Sequence, residues 1–295
     1  MCGNVRALYR PWAFFSFDLA LTWIPLWLVV LGQRLEWFER SFALIAVAGG
    51  SAVVSAVLFV YTTDASGFAR DFWVRVVDVR RIGLGWWPVI LVLPLAQNVL
   101  AITLSLWWGE SPAQFDLSPA FVSAPIAFLA FTLVFGPIPE ELGWRGYGLD
   151  ALRTRMNLLE AGFVLGFFWG LWHVPLIWIE GSFQHGLLDF PPSLLSYFIQ
   201  FIPLSLVMSW IYYRTNRSTL AAILVHFAVN AADELFSLTL FTRVLQGVVA
   251  ILVAALIVVA ERSLFLQREF WLNVGNEETI MPEKRGSDDN RRCNI

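Results

Sequence analysis

Three short stretches of this chain bring together side chains that can accept, donate or relay protons. The first is Glu140-Glu141 followed by Trp144-Arg145-Gly146-Tyr147, the second ends Trp169-Gly170-Leu171-Trp172-His173, and the third is His226-Phe227-Ala228-Val229-Asn230. Two of the chain's three histidines lie inside strongly apolar runs, where polar groups are costly and are usually retained for function. A carboxylate near imidazoles suits water activation, zinc binding or a proton relay, and these classes stay open at this level.

Spacing gives the groups directions. Glu141 and Arg145 are four apart, in the order that favours an ion pair on a helix. Glu140 points about 100° away from that pair and is left free. His226 and Asn230, also four apart, present two hydrogen-bonding side chains on one face. Asp233 continues that face. Gly162, Gly166 and Gly170 form a small-residue stripe that lets a neighbouring helix approach, and His173 follows on the same stripe, facing the bundle interior. His173 comes out about 24 Å from Asn157, too deep if that helix starts at the membrane edge. A helix that begins in water and enters the bilayer later removes the mismatch.

The elements that hold these groups are membrane helices. Of 295 residues 58% are hydrophobic and only 15% charged, against about 25% in soluble domains. Mean hydropathy is +0.64, more apolar surface than one soluble core of this size could hide. Runs of about 20 residues, enough to span a bilayer, occur near 13–32, 42–61, 86–106, 119–139, 158–179, 194–213, 219–237 and 241–260. The arginines of successive connections alternate. One face carries Arg6 and Arg10, then Arg70, Arg75, Arg80 and Arg81, then Arg145, Arg153 and Arg155, then Arg214 and Arg217; the other has only Arg34, Arg40 and Arg243. By the positive-inside rule the expected architecture is an all-α, polytopic bundle of about eight spans with both termini cytoplasmic. Residues 1–260 read as a single transmembrane domain and 261–295 as a polar, disordered cytoplasmic tail. A cavity open to the cytoplasm is expected, because Glu140 and His226 fall nearer that face.

Taken singly, each feature has a plain structural explanation. Pro137 and Pro139 beside Glu140 can mark an interfacial helix start, a lone histidine can be a packed hydrogen-bonding residue, and Asn230 can join helices. Glu110, Asp116, Glu180, His185 and Asp189 fall in outer loops, where solvation accounts for them. A net charge of −3 without a basic stripe excludes nucleic acid as a partner. Cys2 and Cys293 lie at opposite ends and have no metal-type spacing. The combination of motifs is what points to chemistry.

That combination resembles the CAAX-protease and bacteriocin-processing (CPBP, or ABI) family of intramembrane peptidases, which includes the type II CAAX prenyl endopeptidases. Glu-Glu-x-x-Trp-Arg-Gly-Tyr, then aromatic-x-x-x-His, then His-x-x-x-Asn match in order and spacing, over roughly residues 119–235. The resemblance implies that Glu140 activates the attacking water with help from His173. It implies that His226 and Asn230 form the oxyanion hole, with Glu141 and Arg145 in support. Trp169 stands where the family usually has Phe, an aromatic wall with a different pocket shape. The implied reaction is intramembrane hydrolysis of a peptide bond, without metal or cofactor, in a peptide or protein that is lipidated or membrane-anchored.

Two other classes compete. Glu140, His173 and His226 could hold zinc, although His-Glu-x-x-His is absent and Asn is a poor zinc ligand. A non-enzymatic proton-coupled transporter or membrane scaffold would use the same buried groups, but no internal repeat is visible. The expected location is a prokaryotic cell membrane, crossed many times and contacting lipid throughout.

Overall fold

The computed structural model of the chain describes residues 8–37, 41–63 and 67–268, with the backbone of 272–273 and 279–280. Most of the tail expected at 261–295 therefore lies outside the described residues. Among them, the apolar runs are helical, because in hydrocarbon a helix satisfies its own backbone hydrogen bonds. Among the described residues six helices are long and apolar enough to cross a membrane: α1 (Pro11–Arg34), α5 (Trp86–Leu106), the composite Pro125–Arg153, α10 with its extension (Leu158–Trp178), α12 (Pro191–Arg214) and α14 (Leu240–Ala260). A bent pair, α2 (Phe42–Gly49) and α3 (Ser51–Tyr61), meets at 42° and raises the number to seven if it is one span. The remaining expected span is α13 (Thr219–Leu235), a helix of 17 residues. Helix α4 (Phe68–Val77) lies in the connection before α5.

The fourth span differs from the sequence expectation. Residues 119–123 form a separate short helix, α6 (Pro119–Ser123). The span proper runs through α7 (Pro125–Val134), α8 (Pro137–Gly143), a π-turn at Trp144–Gly148 and α9 (Leu149–Arg153). Glu140 thus sits midway along a span rather than at its end. Hydropathy places the boundary at Glu140 because Glu140, Glu141 and Arg145 depress the average. The fold buries all three inside the bundle, and the helix continues past them.

Packing explains several sequence features. The capping box of Asn157 and Glu160 starts α10 (Leu158–His173), with bonds of 2.9 and 3.0 Å. Gly166 on α10 faces α12 so closely that a Cβ there would lie 2.7 Å from Ile202 Cα, which puts the two backbones in contact. Helix α13 packs against α5, α8 and α12, which places its polar face opposite the Glu140 segment. Gln114 ties two outer connections together: its carbonyl accepts from Ser237 N at 3.2 Å and its side chain from Thr239 N at 3.0 Å.

On the arginine-rich face the bundle is closed by buried ion pairs. Arg75 donates to Asp71 at 2.9 Å, to the Tyr212 hydroxyl at 2.6 Å and to the Gly146 carbonyl at 2.9 Å. Asp150 accepts from Tyr212, Tyr213 and Arg217 at 3.0, 2.8 and 2.5 Å, and Arg217 also reaches Asp71 at 3.3 Å. This network joins α4, the π-turn, α9, the end of α12 and the turn before α13 (Thr219–Leu235).

Candidate active site

Glu140, His173, His226 and Asn230 all line one cavity of about 610 Å³, together with Trp169. They arrive from three spans: Glu140 from α8, Trp169 and His173 from α10, His226 and Asn230 from α13. Breaks in regular helix lie beside Glu140 and His173. Gly136 and Pro137 interrupt the fourth span just before Glu140, and a Cβ at Gly136 would come within 3.2 Å of Asn230 Nδ2 and 3.7 Å of Glu140 Oε1. Glycine there allows the amide and the carboxylate to approach one another. Helix α10 ends at His173, where a 3-10 turn (Val174–Trp178) takes over.

Trp169 is the centre of the arrangement. Its indole N–H donates to Glu140 Oε2 at 2.7 Å, and its ring meets the His226 ring edge-on at 5.1 Å. Arg145 lies over the same ring at 4.9 Å. The Trp169 carbonyl takes a hydrogen bond from His173 Nδ1 at 2.9 Å. A carbonyl can only accept, so Nδ1 carries the proton and the unprotonated Nε2 of a neutral His173 is an acceptor. Phe201 stacks on the His173 ring at 4.7 Å and holds its plane.

Glu141 binds in the other direction, behind the cavity wall. It accepts from Arg145 Nη1 at 2.8 and 3.0 Å and from His226 Nδ1 at 2.9 Å, and it is fully buried. Because Nδ1 of His226 faces a carboxylate, Nε2 can donate toward the cavity only when the ring is doubly protonated. Arg145 Nε and Nη2 have no hydrogen-bond partner among the described residues, so its remaining contact is with the Trp169 face. No three His, Cys, Asp or Glu side chains among the described residues are grouped to hold a metal.

The cavity does not run toward the arginine-rich face, as the sequence suggested. Its lining extends to Ser118, Phe183, Gln184 and Phe236, all in connections on the arginine-poor side. The reason is positional: Glu140 is halfway along its span, His173 is at the far end of α10, and the ion pairs around Asp150 fill the opposite face. The depth mismatch for His173 resolves in the same way, since the site lies toward the far ends of these helices. Asp233 also reaches the cavity, where its Oδ1 accepts from Asn98 at 2.8 Å and Gln246 at 2.5 Å.

Sequence reasoning passed over Asn98, Gln246, Tyr197 and Arg243 as cavity residues. Asn98 and Gln246 are amides in the middle of apolar runs, a signal that could have marked them. Asp18, fully buried on α1, was also overlooked; it lies outside the cavity.

A family model described as Rce1-like, type II CAAX prenyl endopeptidase, matches residues 122–232. The chain is also 31% identical to CAAX prenyl protease 2 of Methanococcus maripaludis over 269 residues, covering 88% of this chain and 97% of the relative.

Proposed function

The chain belongs to the Rce1-like family of type II CAAX prenyl endopeptidases, and from that membership we propose that it cleaves a peptide bond near the C-terminus of a lipidated, membrane-anchored substrate at the Glu140 cavity. It is a membrane peptidase, and the observation that carries the detailed reading is the convergence of Glu140, His173, His226 and Asn230 on one cavity.

In this reading Glu140 takes a proton from water while the water oxygen bonds to the scissile carbonyl carbon. His173 Nε2 accepts the second water hydrogen bond and fixes the direction of attack. The carbonyl oxygen becomes an oxyanion, which receives hydrogen bonds from the Asn230 amide and from Nε2–H of the His226 imidazolium. The C–N bond then breaks as Glu140 returns its proton to the leaving amine. Glu141 orients the His226 ring through Nδ1, and Arg145 balances Glu141.

No metal takes part in this scheme. Purified protein is expected to release the C-terminal fragment of an S-prenylated peptide, by mass spectrometry, at the same rate before and after treatment with a strong zinc chelator. Loss of turnover with chelator and its return with zinc would transfer the reaction to metal chemistry. A protein that moves protons across vesicles but leaves every such peptide intact would be a transporter instead.

Trp169→Phe tests the indole hydrogen bond. Phenylalanine keeps the aromatic wall but removes the donor to Glu140. One hydrogen bond to a charged group contributes about 1.5–3 kcal/mol, so kcat is expected to fall by about 10- to 100-fold with little change in KM. An unchanged kcat would show that the carboxylate needs no such anchor.

Residues 1–260 are proposed to form a single membrane domain of eight spans, including the bent pair and α13, with 261–295 as a polar tail in a prokaryotic cell membrane. The arginine alternation supports cytoplasmic termini. Arg75, Arg145 and Arg217 belong to internal ion pairs, so Arg70 and Arg80, both exposed, carry that argument. With this orientation the cavity reaches the non-cytoplasmic side.

A further inference from the structure

The active-site cavity has a second polar end that the hydrolytic scheme does not use. Arg243, in the first turn of α14, lines the cavity, and its guanidinium lies 4.6 Å over the Phe183 ring. It makes no ion pair or side-chain hydrogen bond among the described residues. The nearby carboxylates take hydrogen bonds from other groups, Asp233 Oδ1 from Asn98 and Gln246 and Glu234 from the Thr132 hydroxyl at 3.3 Å, and neither reaches Arg243 at ion-pair distance. Tyr197 stands beside this end, and its hydroxyl accepts from Gln184 Nε2 at 2.8 Å. The hydroxyl proton has no acceptor among the described residues. A cation with a fixed fork of donors, a free O–H and a side-chain amide thus face one water-accessible space.

We propose that Arg243 and Tyr197 form a subsite for the free α-carboxylate of the substrate's C-terminus. Arginine's planar donor fork matches a carboxylate, and the Tyr197 hydroxyl supplies a further donor. The distance is of the right order. Tyr197 is 6.0 Å from His173 and 5.8 Å from Phe183 between ring centroids, so two rings separate the catalytic imidazole from the guanidinium. A CAAX box carries three residues after its modified cysteine, and three extended residues span about 10 Å. Phe183, Phe201 and Val229 line the same cavity and present apolar walls for aliphatic side chains between the two ends. Such a subsite would measure the substrate from its terminus and so place the scissile bond at Glu140. Asp233 close by would repel a carboxylate bound off-centre, which sharpens the choice of Arg243.

This inference rests on the reading of the chain as a C-terminal peptidase, and the experiment separates the two. The probe is an S-farnesylated pentapeptide in two forms, free acid and C-terminal amide. Binding and cleavage are measured on the full chain in detergent micelles, with wild type, Arg243→Gln, Arg243→Lys and Tyr197→Phe variants whose melting temperatures are recorded. Wild type is expected to prefer the acid by about 10- to 100-fold, the contribution of a charge-assisted bidentate contact. Arg243→Gln is expected to bind both forms equally, Arg243→Lys to recover part of the preference, and Tyr197→Phe to lose a smaller part. Equal affinity of the wild type for acid and amide, or full preference surviving in Arg243→Gln at an unchanged melting temperature, would overturn the assignment. An acid preference without any cleavage would leave the subsite standing and remove the peptidase reading.

Discussion

Glu140→Gln is expected to give a folded protein that no longer hydrolyses peptide. Glutamine preserves the shape of the side chain, and its carbonyl oxygen can still accept from the Trp169 indole, which donates to Oε2 at 2.7 Å in the native chain. What disappears, in the proposed mechanism, is the ability to take a proton from water and return it to the leaving amine. General-base catalysis contributes about 10²–10⁴-fold, and in the proposed mechanism one group serves both proton transfers, so turnover should drop by at least the upper part of that range. The melting temperature should hold or rise, because the variant removes a buried carboxylate that makes no ion pair among the described residues. Peptide release followed by mass spectrometry, beside a thermal melt in the same micelles, reads both quantities. Turnover within tenfold of wild type would remove Glu140 from the chemistry.

Glu141 provides the contrast. Its carboxylate binds Arg145 and His226 together, so Glu141→Gln disturbs two partners rather than a water, and both stability and activity should suffer.

The second large effect concerns folding. Asp150→Ala is expected to destabilise the protein by about 3–5 kcal/mol, the usual consequence of removing one member of a buried ionic network. Asp150 is fully buried and accepts from Tyr212, Tyr213 and Arg217, with Arg75 at 3.5 Å. Its loss leaves Arg217 with Asp71 alone and strips both tyrosine hydroxyls of their acceptor. Arg75 also holds the Gly146 carbonyl in the π-turn that follows Glu141 and contains Arg145, so disorder there should reach the Glu140 cavity. A melting temperature lowered by several degrees, with turnover lost in step on warming, is the expected result. A variant that melts with the wild type would show that the tyrosines and arginines find other partners.

Much of this protein was legible without coordinates. Apolar runs of bilayer length determined that the chain is a helical membrane protein, because no other backbone arrangement except a closed barrel satisfies its hydrogen bonds in lipid. Helical periodicity also placed Glu141 with Arg145, and His226 with Asn230, since residues four apart on one helix are neighbours whatever surrounds them. The motif set, and with it the family, followed from residue order and spacing.

What could not be read was everything that depends on contacts between helices. Hydropathy ended the fourth span at Glu140 because averaging treats a charge as exposed; only the bundle supplies Trp169, Glu141, Arg145 and His226 as mutual partners, which makes a mid-span position tolerable. The direction of the cavity was misread for the same reason. Several arginines that look like cytoplasmic anchors are internal: Arg75 and Arg217 close one face through Asp150, and Arg145 sits behind the site. Trp169 looked like a wall and is a donor, because an indole N–H acquires a role only when another helix brings a carboxylate to it. The three stretches of acid–base residues were set by sequence, but their meeting at one cavity was decided by tertiary packing, which alone fixes how separate helices are rotated and how deeply each is set.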